Sequence, residues 1–446
     1  MILIDKAFII NENKSYVGSI LIDGERIKAI YRQDVPIEVR QQSEVIDAGG
    51  FYLMPGVIDD QVHFRDPGFT YKGDLFTESR AAVAGGVTSF MDMPNTNPQT
   101  VTIDALERKF EAAATKSVAN YSFYMGATNE NVKQLLKTDP KKVCGVKVFM
   151  GSSTGNMLVD DERSLAQIFA EVDMLIAVHC EKEEIIRDNL NRYKKEYGED
   201  DIPIEYHPFI RSAEACYRSS AQAVELADKY HARLHVLHLS TAREMSLFST
   251  APLKDKKITA EACVHHLWFT DKDYARLGAR IKWNPAVKKE EDRNALRDAL
   301  RSRKLDVVAT DHAPHLLSEK QGGCLKAASG GPLVQHSLQV MLEMAHQGVF
   351  SLEFIVEKMC HAPARLFKIK DRGFIREGYF ADLVLINPSK PYTVSKDNLL
   401  YKCGWSPFEG QTFSHTVEKT FVNGAIVFAD GQVKDSVRGL PLQFER

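Results

Sequence analysis

Apolar and polar positions fall into two regimes along this chain. In residues 1–52, short apolar runs at 2–10, 17–22 and 27–30 are separated by Asn-Glu-Asn and Asp-Gly-Glu turns, which predicts strands. From there to about residue 370 an apolar run of strand length alternates with a segment of helical spacing. Strands are expected at 54–58, 86–93, 121–125, 143–150, 174–178, 233–237, 258–264 and 305–310, and helices at 103–117, 165–172 and 212–230. Near-continuous apolar strands are those buried on both faces of a parallel sheet. This many repeats argue an α/β fold, a (β/α)8 TIM barrel. After residue 370 the β pattern returns at 381–386, 417–422 and 425–428, with Asn423-Gly424 as a hairpin turn. The expected organisation is a barrel over 53–370 beside a small β-rich domain built from 1–52 and 371–446.

The run from Met54 to Gly68 breaks the apolar rule. Asp59, Gln61, His63 and Arg65 alternate, so a regular strand would put all four on one face. Burying such a face without partners costs several kcal/mol per group. An edge strand with one wet face is the plain alternative. Other expected strands also end in polar residues: His179-Cys180-Glu181, His238-Leu239-Ser240, His265-His266 and Asp311-His312-Ala313-Pro314-His315. A lone histidine there is more often a core imidazole bonded to backbone. A barrel, however, brings its strand ends to one rim, so His63, His179, His238 and Asp311 converge as candidate metal ligands. Imidazole and carboxylate suit zinc or a similar divalent ion. Lys147 sits among Val146, Val148 and Phe149, where an ammonium is costly. Either it snorkels to the barrel mouth or it has reacted with CO₂ to give a carbamate.

Composition narrows the function classes. With Lys+Arg 57 against Asp+Glu 60 the net charge is -3, and no basic footprint argues for nucleic acid. Seven scattered cysteines without a C-x-x-C pair read as reduced thiols of a cytoplasmic protein. The N-terminus carries charge at Asp5 and Lys6 and reads as neither a signal peptide nor a membrane span. His265 and His266 read as structural or rim residues, residues 181–188 as a solvated charged helix start, and 151–155 as a loop without the Gly-Lys-Ser/Thr ending of a P-loop. Gly322-Gly323 and Gly330-Gly331-Pro332 bracket a segment placed to border a pocket.

Three motifs carry a resemblance. Arg65-Asp66-Pro67-Gly68 resembles the R-E-P-G of dihydroorotases, Met93-Pro94-Asn95-Thr96-Asn97-Pro98 matches their M-P-N-T-N-P, and Asp311-His312-Ala313-Pro314-His315 matches their D-H-A-P-H. The chain thus resembles the amidohydrolase superfamily and, within it, the dihydroorotases, along its whole length. The resemblance implies zinc-dependent, reversible hydrolysis of (S)-dihydroorotate to N-carbamoyl-L-aspartate in pyrimidine (UMP) biosynthesis, by metal-activated hydroxide with Asp311 as general base and acid. It implies His63, Lys147 as a carboxylated lysine, His179, His238 and Asp311 as ligands of one or two Zn²⁺. It assigns the substrate to Arg65, Asn95, Asn284 and His315. It also implies a homodimer and raises association with aspartate transcarbamoylase.

One position departs from the pattern. Where the family has H-x-H, this chain has Gln61-Val62-His63. An amide oxygen is a poorer zinc ligand than imidazole. Gln61 then coordinates weakly, leaves a one-metal site, or leaves a site too loose to work. The alternatives to a dihydroorotase are a hydantoinase- or allantoinase-like hydrolase, and a catalytically silent dihydroorotase-like partner of aspartate transcarbamoylase.

Overall fold

The computed structural model describes residues 1–151 and 157–446. Most of the 151–155 segment, read above as a loop, therefore lies outside the described residues.

Eight strands form one sheet in strict chain order. They are β1 (Val57–Val62), β2 (Val87–Asp92), β3 (Asn120–Gly126), β4 (Gly145–Phe149), β5 (Ile176–His179), β6 (Leu234–Val236), β7 (Ile258–Cys263) and β8 (Val307–Ala309). Every neighbouring pair is parallel. The sheet curls until Val62 meets His312, where the His63 N–H reaches the His312 carbonyl at 2.7 Å. The α/β barrel expected from the alternation is present, and its strands are buried almost throughout.

Helices cover the outside and begin where the sequence supplies caps. Thr102 accepts from the Ala105 N–H at the start of Ile103–Lys116, Asp161 from Ser164 before Glu162–Glu171, and Ser212 from Ala215 before Ala213–Tyr230. No helix among the described residues is long and apolar enough to cross a membrane.

The two chain ends share a nine-stranded sheet. Its seam is Tyr52–Pro55, parallel to Ile2–Asn11 on one side and antiparallel to Leu383–Asn387 on the other. Ile4, Ile9, Ile20, Leu53, Leu385 and Phe421 pack its core. Asn423 and Gly424 both have positive φ, the geometry of a tight hairpin turn, and a Cβ on Gly424 would lie 2.0 Å from the Gly24 carbonyl oxygen.

β1 is not the regular strand its alternation suggests. Its pairing with β2 slips between Asp59 and Val62, so three steps on β1 match two on β2. An extra residue of this kind breaks period-two facing. Asp59 therefore bonds Thr310, while both Asp60 and Gln61 also reach side chains of the barrel interior. His63 and Arg65 lie beyond the end of the strand.

Candidate active site

The strand ends bring His63, Lys147, His179, His238, Asp311, Gln61 and Asn284 around one small cavity of about 20 Å³. Space on that scale takes a water or an ion. Three site residues, Arg65, His238 and Asp311, have positive φ. Such backbone is uncommon outside glycine and clusters at functional sites.

The imidazoles are arranged for a cation. His63 Nδ1 lies 2.8 Å from Asn95 Oδ1, which can only accept, so Nδ1 carries the proton. The lone pair of Nε2 then faces Asp311 Oδ1 at 3.1 Å. Two lone pairs in contact repel unless a proton or a metal ion lies between them. His179 Nδ1 and His238 Nε2 are 3.0 Å apart, while His238 Nδ1 is buried without a hydrogen bond. Burial drives His63 and His238 well below the ordinary histidine range and lowers His179, so all three rings are neutral, as metal ligation requires. The donor set of neutral imidazoles and a carboxylate fits a divalent ion.

Gln61 behaves as a donor. Its amide NH₂ reaches Asp311 Oδ1 at 3.2 Å, and its oxygen faces the Cys263 thiol at 3.8 Å. Burial raises the Asp311 carboxyl to about 7, against the pull of Lys147, His179 and Arg65. Burial also lowers Lys147 to about 7, with Asp311 and Glu261 opposing. Its Nζ rests 4.6 Å from the centre of the Phe149 ring.

Arg65, Asn95 and His315 line a different and much larger cavity, about 950 Å³. Arg65 Nε donates to the Pro314 carbonyl at 3.1 Å, and its NH2 lies 3.1 Å from His315 Nε2. Lys72 approaches His315 Nδ1 from the other side at 3.0 Å and pairs with Glu319 at 2.8 Å. Burial, with Arg65 and Lys72 adding to it, pushes His315 far below the ordinary histidine range. The pocket therefore gathers donors and is electrostatically suited to a carboxylate. Asn284 stands apart from this trio, on the small cavity with Gly330, so the glycine-bracketed segment does border the site.

Several functional neighbours escaped the sequence reading. Lys72, which meets His315 and Glu319, was not singled out in the sequence. Glu181, expected on a solvated face, is fully buried and pairs with Arg211 and with His179 Nε2. Burial alone would raise it, but Arg211 and His179 hold it down at about 2. His265 and His266 are buried as well: His265 stacks on Trp283 and His266 Nε2 bonds the Pro285 carbonyl at 3.0 Å, steadying the segment that carries Asn284. Asp60, His235 and Glu261 form a further buried group, for which the doubled Asp59-Asp60 was the available signal.

A model of the amidohydrolase family matches residues 52–427. The chain belongs to the amidohydrolase family. This amidohydrolase is 34% identical over 427 residues to a dihydroorotase of Halobacterium salinarum, covering 95% of this chain and 96% of the relative. It is 30% identical over 437 residues to a dihydroorotase of Clostridium acetobutylicum, covering 96% and 100%. Among solved structures the amidohydrolase is similar to the L-hydantoinase (dihydropyrimidinase) of Arthrobacter aurescens, with a TM-score of 0.89, 27% identity and 97% of each chain covered.

Proposed function

We propose that this amidohydrolase is a dihydroorotase, interconverting (S)-dihydroorotate and N-carbamoyl-L-aspartate in pyrimidine biosynthesis. The observation that carries the reading is Arg65, buried and flanked by His315 and Asn95 on a donor-lined cavity beside the strand-end imidazoles. A hydantoin ring has no carboxylate for that guanidinium. The whole-length likeness to dihydroorotases supports the same choice over the hydantoinase fold neighbours.

In this reading Arg65 offers its guanidinium to the substrate carboxylate, with Asn95 as an added donor and His315 lining the same pocket beside Arg65. Asn284, whose Oδ1 is buried without a hydrogen bond, turns to the ring. His63, His179, His238, Asp311 and a carboxylated Lys147 would hold zinc, with Gln61 contributing weakly or not at all. Zinc held there would supply Lewis acidity, lowering the pKa of water and polarising the amide. Asp311 takes the proton of the attacking water on its carboxylate and gives it to the ring nitrogen as the C–N bond breaks. Seven free thiols, of which only Cys324 is partly exposed, support a cytoplasmic setting.

The test is turnover of dihydroorotate by the purified, zinc-supplemented protein, followed by ultraviolet absorbance, with hydantoin as comparison. Turnover of dihydroorotate alone is expected. Preference for hydantoin would replace the reading with the hydantoinase one. No turnover from a folded, zinc-loaded chain would leave the silent partner of aspartate transcarbamoylase, which co-purification then checks. Intact-mass measurement of the native chain should show the added CO₂ of a Lys147 carbamate, and sedimentation should show a homodimer.

A further inference from the structure

Within the strands, away from their ends, the barrel holds a second polar group. Asp60 comes from the bulged part of β1, His235 from β6 and Glu261 from β7, and all three are fully buried. One potential ligand atom from each lies within 4.8 Å of the other two. His235 Nε2 is 3.2 Å from Asp60 Oδ2 and 3.8 Å from Glu261 Oε2.

Hydrogen bonding fixes the tautomer of His235. Its Nδ1 lies 2.9 Å from Thr259 Oγ1, and the Thr259 hydroxyl gives its own hydrogen to the Leu234 carbonyl at 3.1 Å. The threonine oxygen therefore accepts, and Nδ1 carries the proton. That is the usual state of a ligating histidine, whose second nitrogen is held by a hydrogen bond. In the neutral ring, Nε2 turns a lone pair toward two carboxylates. Neither Asp60 oxygen takes a hydrogen bond, and neither does Glu261 Oε2. The other Glu261 oxygen is satisfied, by the His238 N–H at 2.9 Å and the Cys263 thiol at 3.2 Å.

Either a proton on Nε2 or a metal ion must separate these groups. A charge-assisted N–H···O bond spans about 2.7–2.9 Å. The 3.2 Å approach lacks hydrogen-bond alignment and 3.8 Å is beyond reach. Two atoms each about 2.0–2.2 Å from one ion stand roughly 3.0–3.6 Å apart, much closer to what is seen. A divalent ion there would cancel the charge of both carboxylates.

We propose that Asp60, His235 and Glu261 form a structural divalent-cation site for zinc or a similar ion, separate from the strand-end ligands. Through Glu261 Oε1 the ion would brace the His238 backbone from below. The proposal does not depend on the reaction assigned above. Crystals of the full chain grown with zinc should give an anomalous peak at the zinc edge bonded to these three side chains. No peak there, or an ordinary water in its place, overturns the site whatever the strand ends hold. In solution, Asp60→Asn protein should retain about one zinc fewer per chain than the native protein after dialysis; an unchanged count overturns it too. The native crystal decides the matter if that variant does not fold, and failure to turn over dihydroorotate bears on neither measurement.

Discussion

Arg65 shows how much one side chain decides. It is held in left-handed backbone, its Nε is tied to the Pro314 carbonyl and its NH2 lies against His315, so the guanidinium is fixed at the wall of the larger cavity. Arg65→Ala should lower kcat/KM for dihydroorotate about 10- to 150-fold, the equivalent of about 1.5–3 kcal/mol for hydrogen bonds to a charged group. Circular dichroism should be unchanged, since the side chain lines a cavity. An equal loss on a neutral ring would show that Arg65 acts structurally and not on the carboxylate. At this scale the sequence foretold which strand-end side chains would meet around one cavity. His63, His179, His238 and Asp311 end strands, and strand ends share a rim. Glu181 was misread because its meaning lies in Arg211, thirty residues on, which charge patterning along a helix cannot see.

Elements were legible because burial on both faces writes long apolar runs, and polar caps mark helix starts. The eight barrel strands fall within about three residues of their expected positions for that reason. The bulge in β1 was not legible, because an inserted residue leaves composition and run length unchanged and alters only facing. Pairing between elements also sets acid sensitivity. Asp5, on the first strand, takes both arms of Arg40 from the short helix Ile37–Gln41, at 2.8 Å each. That hydrogen-bonded fork holds its carboxyl below the usual value of 3.8. The unfolded chain thus binds the proton more readily, so the contribution is full above about pH 4 and fades as pH falls through the lower folded value. Asp5→Asn protein should have a lower urea midpoint than the native protein at pH 7, and the gap should close on acidification. A pH-independent gap would mean that packing, not the charge, is lost.

For the whole molecule, barrel and terminal sheet are joined through continuous backbone, since Tyr52–Pro55 runs directly into β1. Calorimetry should therefore give one cooperative transition, moved down in temperature by a zinc chelator; two separated transitions would show that the sheet and barrel are independent. The chain's two-regime pattern foretold both bodies, but nothing in it told that the ligand-lined space and the donor-lined space would be separate cavities. That depends on loops from different strands. The seam has a further consequence in time. Pro55 pairs with Leu383, roughly 330 residues later in the chain. At about 5–20 residues per second, the ribosome delivers that partner on the order of 15–65 s after Tyr52–Pro55 emerges. Throughout synthesis the central strand of the sheet keeps one bare edge, open to wrong pairing, until roughly the last seventh of the chain appears.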